Sequence, residues 1–243
     1  MLSYDSYAPV VRRDLARAQE ESWARLGRPG TWWSAEERLA IAEEVRAARW
    51  CELCRTRKAA LSPYGLPGTH AAVGPLAAHY VDAIHRVVTD PGRLTERWLD
   101  SLRAAGLEDE RYIEMVGIAI TVIATDTFQV GLGVPPPALP RPEPGEPSRQ
   151  RPAAARRTIA WVPTVSPTDG LHDVYSGFEH VPYVRQALSL VPDEIRNLDL
   201  IEQGYYLPFD AVGNPASNGG RQLARPQIEL IAARVSYLHD CFY

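Results

Sequence analysis

Cysteine is scarce in this chain, with 3 in 243 residues. That is too few for a disulfide framework, so the thiols are expected to be reduced and open to reaction. A basic surplus is missing as well: 26 Lys and Arg stand against 30 Asp and Glu, a net charge of −4. Nothing in that balance favours a polyanionic partner, and nucleic acid is disfavoured. Long apolar runs are also lacking. The longest, Met115 to Ala124, falls well short of the ~20 residues that a membrane-spanning helix needs; it reads as a buried helix, and no membrane partner is expected. The first residues carry Asp5, Arg12, Arg13, Asp14, Arg17, Glu20 and Glu21 where an export signal would have an uninterrupted apolar core. A cytoplasmic location is the expectation. Strand-type alternation is absent too.

What the chain does have is helical patterning, and a 45% hydrophobic content is enough for one large core or two smaller ones. Ser34-Ala-Glu-Glu37 forms a capping box that starts a helix. Leu39, Ile41, Ala42, Val45 and Ala48 then recur at helical spacing, with Glu43, Glu44, Arg46 and Arg49 on the remaining positions. Further helices are predicted at about 76–88, 95–105 with Gly106 as its stop, 110–128, 181–190 and 192–201. A last one begins near Pro226, carries Ile228, Leu230, Ile231, Val235 and Leu238, and runs into Cys241. Eight prolines between Pro135 and Pro152 describe an extended linker running over the surface. The expected organisation is all-α: a helical half over 1–134, a linker over 135–157 and a second helical half over 158–243. A displacement of 190 sets Cys51 over Cys241 and superposes Ile41 on Ile231, Ala42 on Ala232 and Val45 on Val235. The halves thus read as pseudo-repeats, although any two amphipathic helices share some apolar register.

Cys51-Glu-Leu-Cys54 sets two sulfurs on one helix face, close enough for a reversible disulfide. At a helix start the first thiol would feel the positive end of the macrodipole. With the helix opening at Ser34, however, Cys51 is expected in mid-helix unless the chain breaks near Trp50. Arg49, Arg55, Arg57 and Lys58 would then be the only electrostatic substitutes. Two alternatives stand beside a redox dithiol: inert buried cysteines, or half of a zinc site. Zinc is the poorer of these, because no second closely spaced Cys or His pair exists and His70, His79, His85, His172, His180 and His239 are scattered along the chain. No metal or cofactor is expected. Cys241 follows Asp240, a good capping residue, so a new helix there would place the thiol in a first turn. Glu229 lies twelve residues earlier and would cooperate with Cys241 only if the helix breaks at His239-Asp240. Otherwise Glu229 is a solvated glutamate and Cys241 a frayed terminal residue.

The stretch Arg225-Pro-Gln-Ile-Glu229-Leu-Ile-Ala-Ala-Arg-Val-Ser-Tyr-Leu-His-Asp240-Cys241-Phe-Tyr243 resembles the core helix of the alkylhydroperoxidase D-like and carboxymuconolactone decarboxylase superfamily. The segment Val181 to Pro192 resembles that family's lead-in, an apolar helix ending at a proline. The resemblance implies the family's all-α helical fold and its motif of Glu, eleven residues, Cys, two residues, Cys, three residues, His. Glu229 and Cys241 match the first two positions. In the N-terminal half Cys51 and Cys54 fit, while Leu39 holds the glutamate position and Lys58 the histidine position. Carried over, Cys54 attacks a peroxide and Cys51 resolves it as a disulfide. Lys58 is a poor base at neutral pH, which leaves Glu44 or His85 to rebuild the relay, with His239 as the further candidate near Cys241.

In the C-terminal half Cys241 becomes the resolving thiol and Glu229 a relay residue, and the peroxidatic position falls just after Tyr243. A selenocysteine codon read as a stop, a shortened chain or an evolutionary loss would each give that ending, and the codon after Tyr243 separates them. The implied activity is that of a thiol-dependent peroxidase or disulfide oxidoreductase. Its substrate is a hydroperoxide or small disulfide, an external dithiol recycles it, and the assembly is a homo-oligomer. The superfamily's lactone decarboxylase or isomerase branch, and a helical oligomerisation or redox-sensing module whose chemistry has decayed, are the alternatives.

Overall fold

Helices form where the sequence supplies caps and apolar spacing. The computed structural model describes residues 2–7, 10–178, 180–239 and 241. Among these the only β-type pairing is an isolated bridge between Arg156 and Thr164, so the described chain is all-α. Helix α1 spans Arg13–Arg25, a segment the apolar spacing had not marked, and α2 spans Ala35–Ala48. The capping box closes as expected: Glu37 N–H donates to Ser34 Oγ at 3.3 Å and Ser34 N–H to Glu37 Oε2 at 2.9 Å. Helices α3 (Glu52–Ala59), α4 (Ala78–Thr89), α5 (Glu96–Ala104) and α6 (Asp109–Gly131) follow. Thr95 caps α5 by accepting Trp98 N–H at 3.2 Å, and Gly106, at φ +105°, turns the chain out of it. Beyond the proline segment come α7 (His172–Tyr175), α8 (Tyr183–Ala187), α9 (Pro192–Tyr205), α10 (Phe209–Val212) and α11 (Arg225–Leu238).

Helices α2, α4 and α6 pack together, with α1 and α9 against α6 and each other. Ile41 and Val45 of α2, Ile84 of α4, Met115 and Ile118 of α6 and Ile195 of α9 are fully buried in one apolar cluster. That cluster draws on residues from both sides of the proline segment. Helix α6 has 23 residues and is apolar enough to cross a membrane by length and composition, but 61% of its apolar window is buried within the protein. It also carries the buried acids Glu114 and Asp126. It is the central core helix, as its apolar run predicts.

The proline segment is extended, as expected, but it is also tied down. Trp23 Nε1 donates to Ala138 O at 3.0 Å, Arg46 to Pro137 O at 2.8 Å and Arg149 N–H to Thr31 O at 2.8 Å. The segment is thus a strap across the α1–α2 connection. Helices α2 and α11 have bounds related by the same displacement of 190, yet they are packed differently. Where α2 buries Ile41, Ala42, Val45 and Ala48, α11 buries Ile228 alone and leaves Ile231, Val235 and Leu238 more than half exposed.

A buried ionic node joins three helices. Arg38 of α2 pairs with Glu114 of α6 and lies 3.5 Å from Glu194 of α9, and Glu114 also accepts Trp32 N–H at 2.6 Å. Any Cβ at Gly30 or Gly117 would overlap these carboxylates and have to displace them. Burial, against the pull of Arg38 and helped by repulsion from Glu194, pushes the Glu114 carboxyl up to about 7. The folded chain therefore holds a proton that the unfolded chain releases between pH ~4.5 and ~7, so stability falls as pH rises through that window. The loss attributable to this group is on the order of 3 kcal/mol. Thermal midpoints at pH 5 and pH 8 should show the difference, and Glu114→Gln should flatten it; an unchanged slope in that variant would refute the assignment.

Candidate functional site

The chain breaks at Arg49–Cys51, so Cys51 does not sit in mid-helix. Its backbone is extended (φ −67°, ψ 122°) and it is the N-cap of α3, which places its sulfur at that helix's positive end. Cys54, one turn in, is buried, whereas Cys51 is partly exposed. Arg93 clamps the far end of α3, donating to the carbonyls of Ala60 at 2.6 Å, Arg57 at 3.1 Å and Lys58 at 3.0 Å. Arg57 reaches from α3 to Leu66 O at 3.1 Å and so fixes the loop that carries His70.

Two histidines converge on the sulfurs. His70 Nδ1 lies 3.5 Å from both Cys51 Sγ and Cys54 Sγ, and His85 Nδ1, from α4, lies 3.3 Å from Cys54 Sγ. Each ring is held from behind by a carboxylate. His85 Nε2 meets Glu44 Oε1 at 2.7 Å, and His70 Nε2 meets Asp82 Oδ1 at 2.9 Å. A carboxylate can only accept, so both Nε2 atoms carry a proton; the neutral His85 turns an Nδ1 lone pair toward Cys54, whereas a charged His70 donates from Nδ1 toward the sulfurs. Glu44, expected on a polar helix face, is fully buried, and its other oxygen accepts Val73 N–H at 3.0 Å. Asp82 also accepts Trp98 Nε1–H at 2.7 Å and pairs with Arg57 and Arg86.

The two imidazoles differ electrically. Burial opposes charge on His70, but Asp82 and the sulfurs outweigh it and push the group up to about 10. Burial lowers His85 in spite of Glu44, and the neighbouring His70 adds to the fall. Burial alone would raise the Cys51 thiol, but hydrogen bonds from His70 and from the Cys54 backbone N–H bring it below its ordinary value. Burial likewise disfavours the Asp82 carboxylate, yet its bonds from His70 and Trp98 hold it well below the usual range. A cavity of about 440 Å³, lined by Trp50, Cys51, Cys54, Lys58, Val88 and Thr89 among others, opens onto both sulfurs.

Of the residues singled out in the sequence, Cys51, Cys54, Glu44 and His85 meet here. Lys58 stands exposed on the cavity wall, out of contact with the sulfurs among the described hydrogen bonds. Glu229 is engaged elsewhere, accepting from Tyr206 Oη at 2.6 Å and Arg225 at 2.5 Å. The helix does end at Leu238, with His239 as its exposed C-cap. Even so, the nine residues from Glu229 to Leu238 separate Glu229 from Cys241 by about 14 Å of helical rise. The new helix expected at Asp240 falls partly outside the described residues; Cys241 itself is exposed coil.

His70 and Asp82 were not anticipated as site residues. Asp82 and His85 lie three apart on α4, a spacing that shares a face and could have signalled the pair. His70, in a loop, carried no such signal. The expectation that the histidines are scattered is corrected by the fold, because Cys51, Cys54, His70 and His85 each offer a donor atom and all four lie within 4.8 Å of one another. The arrangement defines a dithiol–diimidazole centre backed by two carboxylates. No family model, no curated protein and no solved structure matches this chain.

Alkylation of the reduced chain with iodoacetamide should reach Cys241 and Cys51 before Cys54, in keeping with their exposure. Peptide mapping at short times reads the order. Early labelling of Cys54 would contradict its burial.

Proposed function

We propose that the chain is a thiol-dependent oxidoreductase of the alkylhydroperoxidase D-like kind, which reduces a hydroperoxide or a small disulfide at Cys51 and Cys54. The observation that carries this reading is the chain of contacts from Cys54 through His85 to Glu44, beside a partly exposed Cys51 at a helix N-terminus. A thiol, a neutral imidazole acceptor and a carboxylate orienting that imidazole are the parts of an activated thiol. The two-repeat arrangement is supported by the matching bounds of α2 and α11. A cytoplasmic homo-oligomer recycled by an external dithiol completes the proposal.

Exposure reverses the thiol roles that the resemblance implies. Cys51 faces the cavity and attacks the distal peroxide oxygen. The S–O bond forms as the O–O bond breaks, leaving a Cys51 sulfenic acid and an alkoxide that takes back the proton the Cys51 thiol had passed to His70. His85 Nδ1 then accepts the Cys54 proton, the Cys54 thiolate attacks the Cys51 sulfur, and hydroxide leaves with that proton as water. Two equivalents of external thiol return the disulfide to the dithiol.

Peroxide consumption by the reduced, metal-free chain should be lost in Cys51→Ser and in Cys54→Ser, and kept in Cys241→Ser. Glu44→Gln should slow it about 100-fold, the scale of a general base misplaced. Cys54→Ser should still accumulate the Cys51 sulfenate, trapped with dimedone. Turnover that survives both N-terminal serine variants would remove the proposal.

A further inference from the structure

We propose that the reduced cluster is a zinc site, in which Cys51 Sγ, Cys54 Sγ, His70 Nδ1 and His85 Nδ1 close a tetrahedron around one borderline-soft divalent cation. This goes beyond the thiol chemistry and needs no turnover: the metal-free dithiol is the redox form, and the cation holds the same thiols out of reaction.

The donor spacing fits. With Zn–S near 2.3 Å and Zn–N near 2.0–2.1 Å, a regular tetrahedron has sulfur-to-nitrogen edges of about 3.5 Å. The three such contacts in the cluster are 3.5, 3.5 and 3.3 Å. All four donor atoms lie within 4.8 Å of one another. Two thiolates and two imidazoles suit zinc, whereas magnesium and calcium take oxygen donors.

The surroundings fit as well. A metal-bound imidazole keeps its other nitrogen protonated on a carboxylate or carbonyl, which fixes the ring's tautomer and aims its lone pair. Here both rings are held that way, by Asp82 and by Glu44. One such pair is ordinary for a buried histidine; two rings turning the same nitrogen toward Cys54, one of them also toward Cys51, are what a ligand set requires. One cation serves all four donors and neutralises two thiolates. The bound ion would join α3, the His70 loop and α4, and four protein ligands leave no open position, which is the structural class of zinc site. Cys51's partial exposure gives the ion its way in.

The test uses the full chain, reduced and stripped with a chelator. Titration with Zn²⁺ against a chromophoric competitor, followed by desalting and metal analysis, should find one zinc per chain. Cobalt(II) in place of zinc should give the intense visible bands of a tetrahedral ion and a sulfur-to-cobalt charge-transfer band. That spectrum reports the ligands without any variant. Cys54→Ser and His85→Ala should lose the metal and Cys241→Ser should keep it. Glu44→Gln and Asp82→Asn should weaken zinc binding about 10- to 100-fold. No zinc retained by the reduced chain, a weak octahedral cobalt spectrum, or one zinc retained by the Cys51→Ser, Cys54→Ser double variant would each overturn the site. Peroxide turnover is measured separately on the stripped chain. Zinc without turnover sinks the thiol reading alone, and turnover without zinc sinks this one alone.

Discussion

The candidate site depends on a carboxylate that has nowhere to find water. Glu44 is fully buried on α2, and an isolated charge there would be disfavoured by several kcal/mol unless both oxygens were occupied. One takes the Val73 backbone N–H and the other His85 Nε2. Satisfying one buried group thus fastens the loop before α4 and α4 itself to α2. It also decides which nitrogen of His85 keeps its proton, and so turns a lone pair toward Cys54. Asp82 orients His70 from within α4 and favours its charged form, with Arg57, Arg86 and Trp98 sharing the carboxylate.

The second constraint is the break before Cys51. Arg49, Trp50 and Cys51 include neither proline nor glycine, and Trp50 is left 87% exposed. No local residue accounts for a helix that ends at Ala48 and restarts at Glu52. The consequence is chemical: α3 starts afresh, so its first-turn amides face the Cys51 sulfur, and Cys54 turns inward to the two histidines. A continuous helix would have left both thiols without that end.

The halves on either side of the prolines are not equally furnished. The core that surrounds α2 includes Leu190, Val191 and Ile195 from beyond the strap, so the C-terminal segment helps to bury the N-terminal helices. Helix α11, in the register of α2, has no comparable cover among the described residues, and Glu229 is tied to Tyr206 and Arg225 instead of to a thiol. Glu229 with Cys241 and the assembled cysteine–histidine cluster therefore lie on opposite sides of the proline strap.

Much of this was legible in the sequence: the all-α class, the capping box at Ser34, most helix positions, the extended course of the prolines, and Cys51 and Cys54 as the thiols to watch. These are local properties, set by caps, apolar spacing and the chemistry of single residues. Glu44 and His85 were legible only as loose candidates, because a period of apolar residues does not say which charged side chain will be buried. The tertiary structure decided the rest. It brought His70, sixteen residues beyond Cys54 and on no periodic element, against both sulfurs, and it set Asp82 behind that ring. Sequence spacing reports which side chains share one element. The meeting of α2, α3, a loop and α4 at one point is fixed by packing and by the need of buried carboxylates for donors, and neither is written in the distance between residues along the chain.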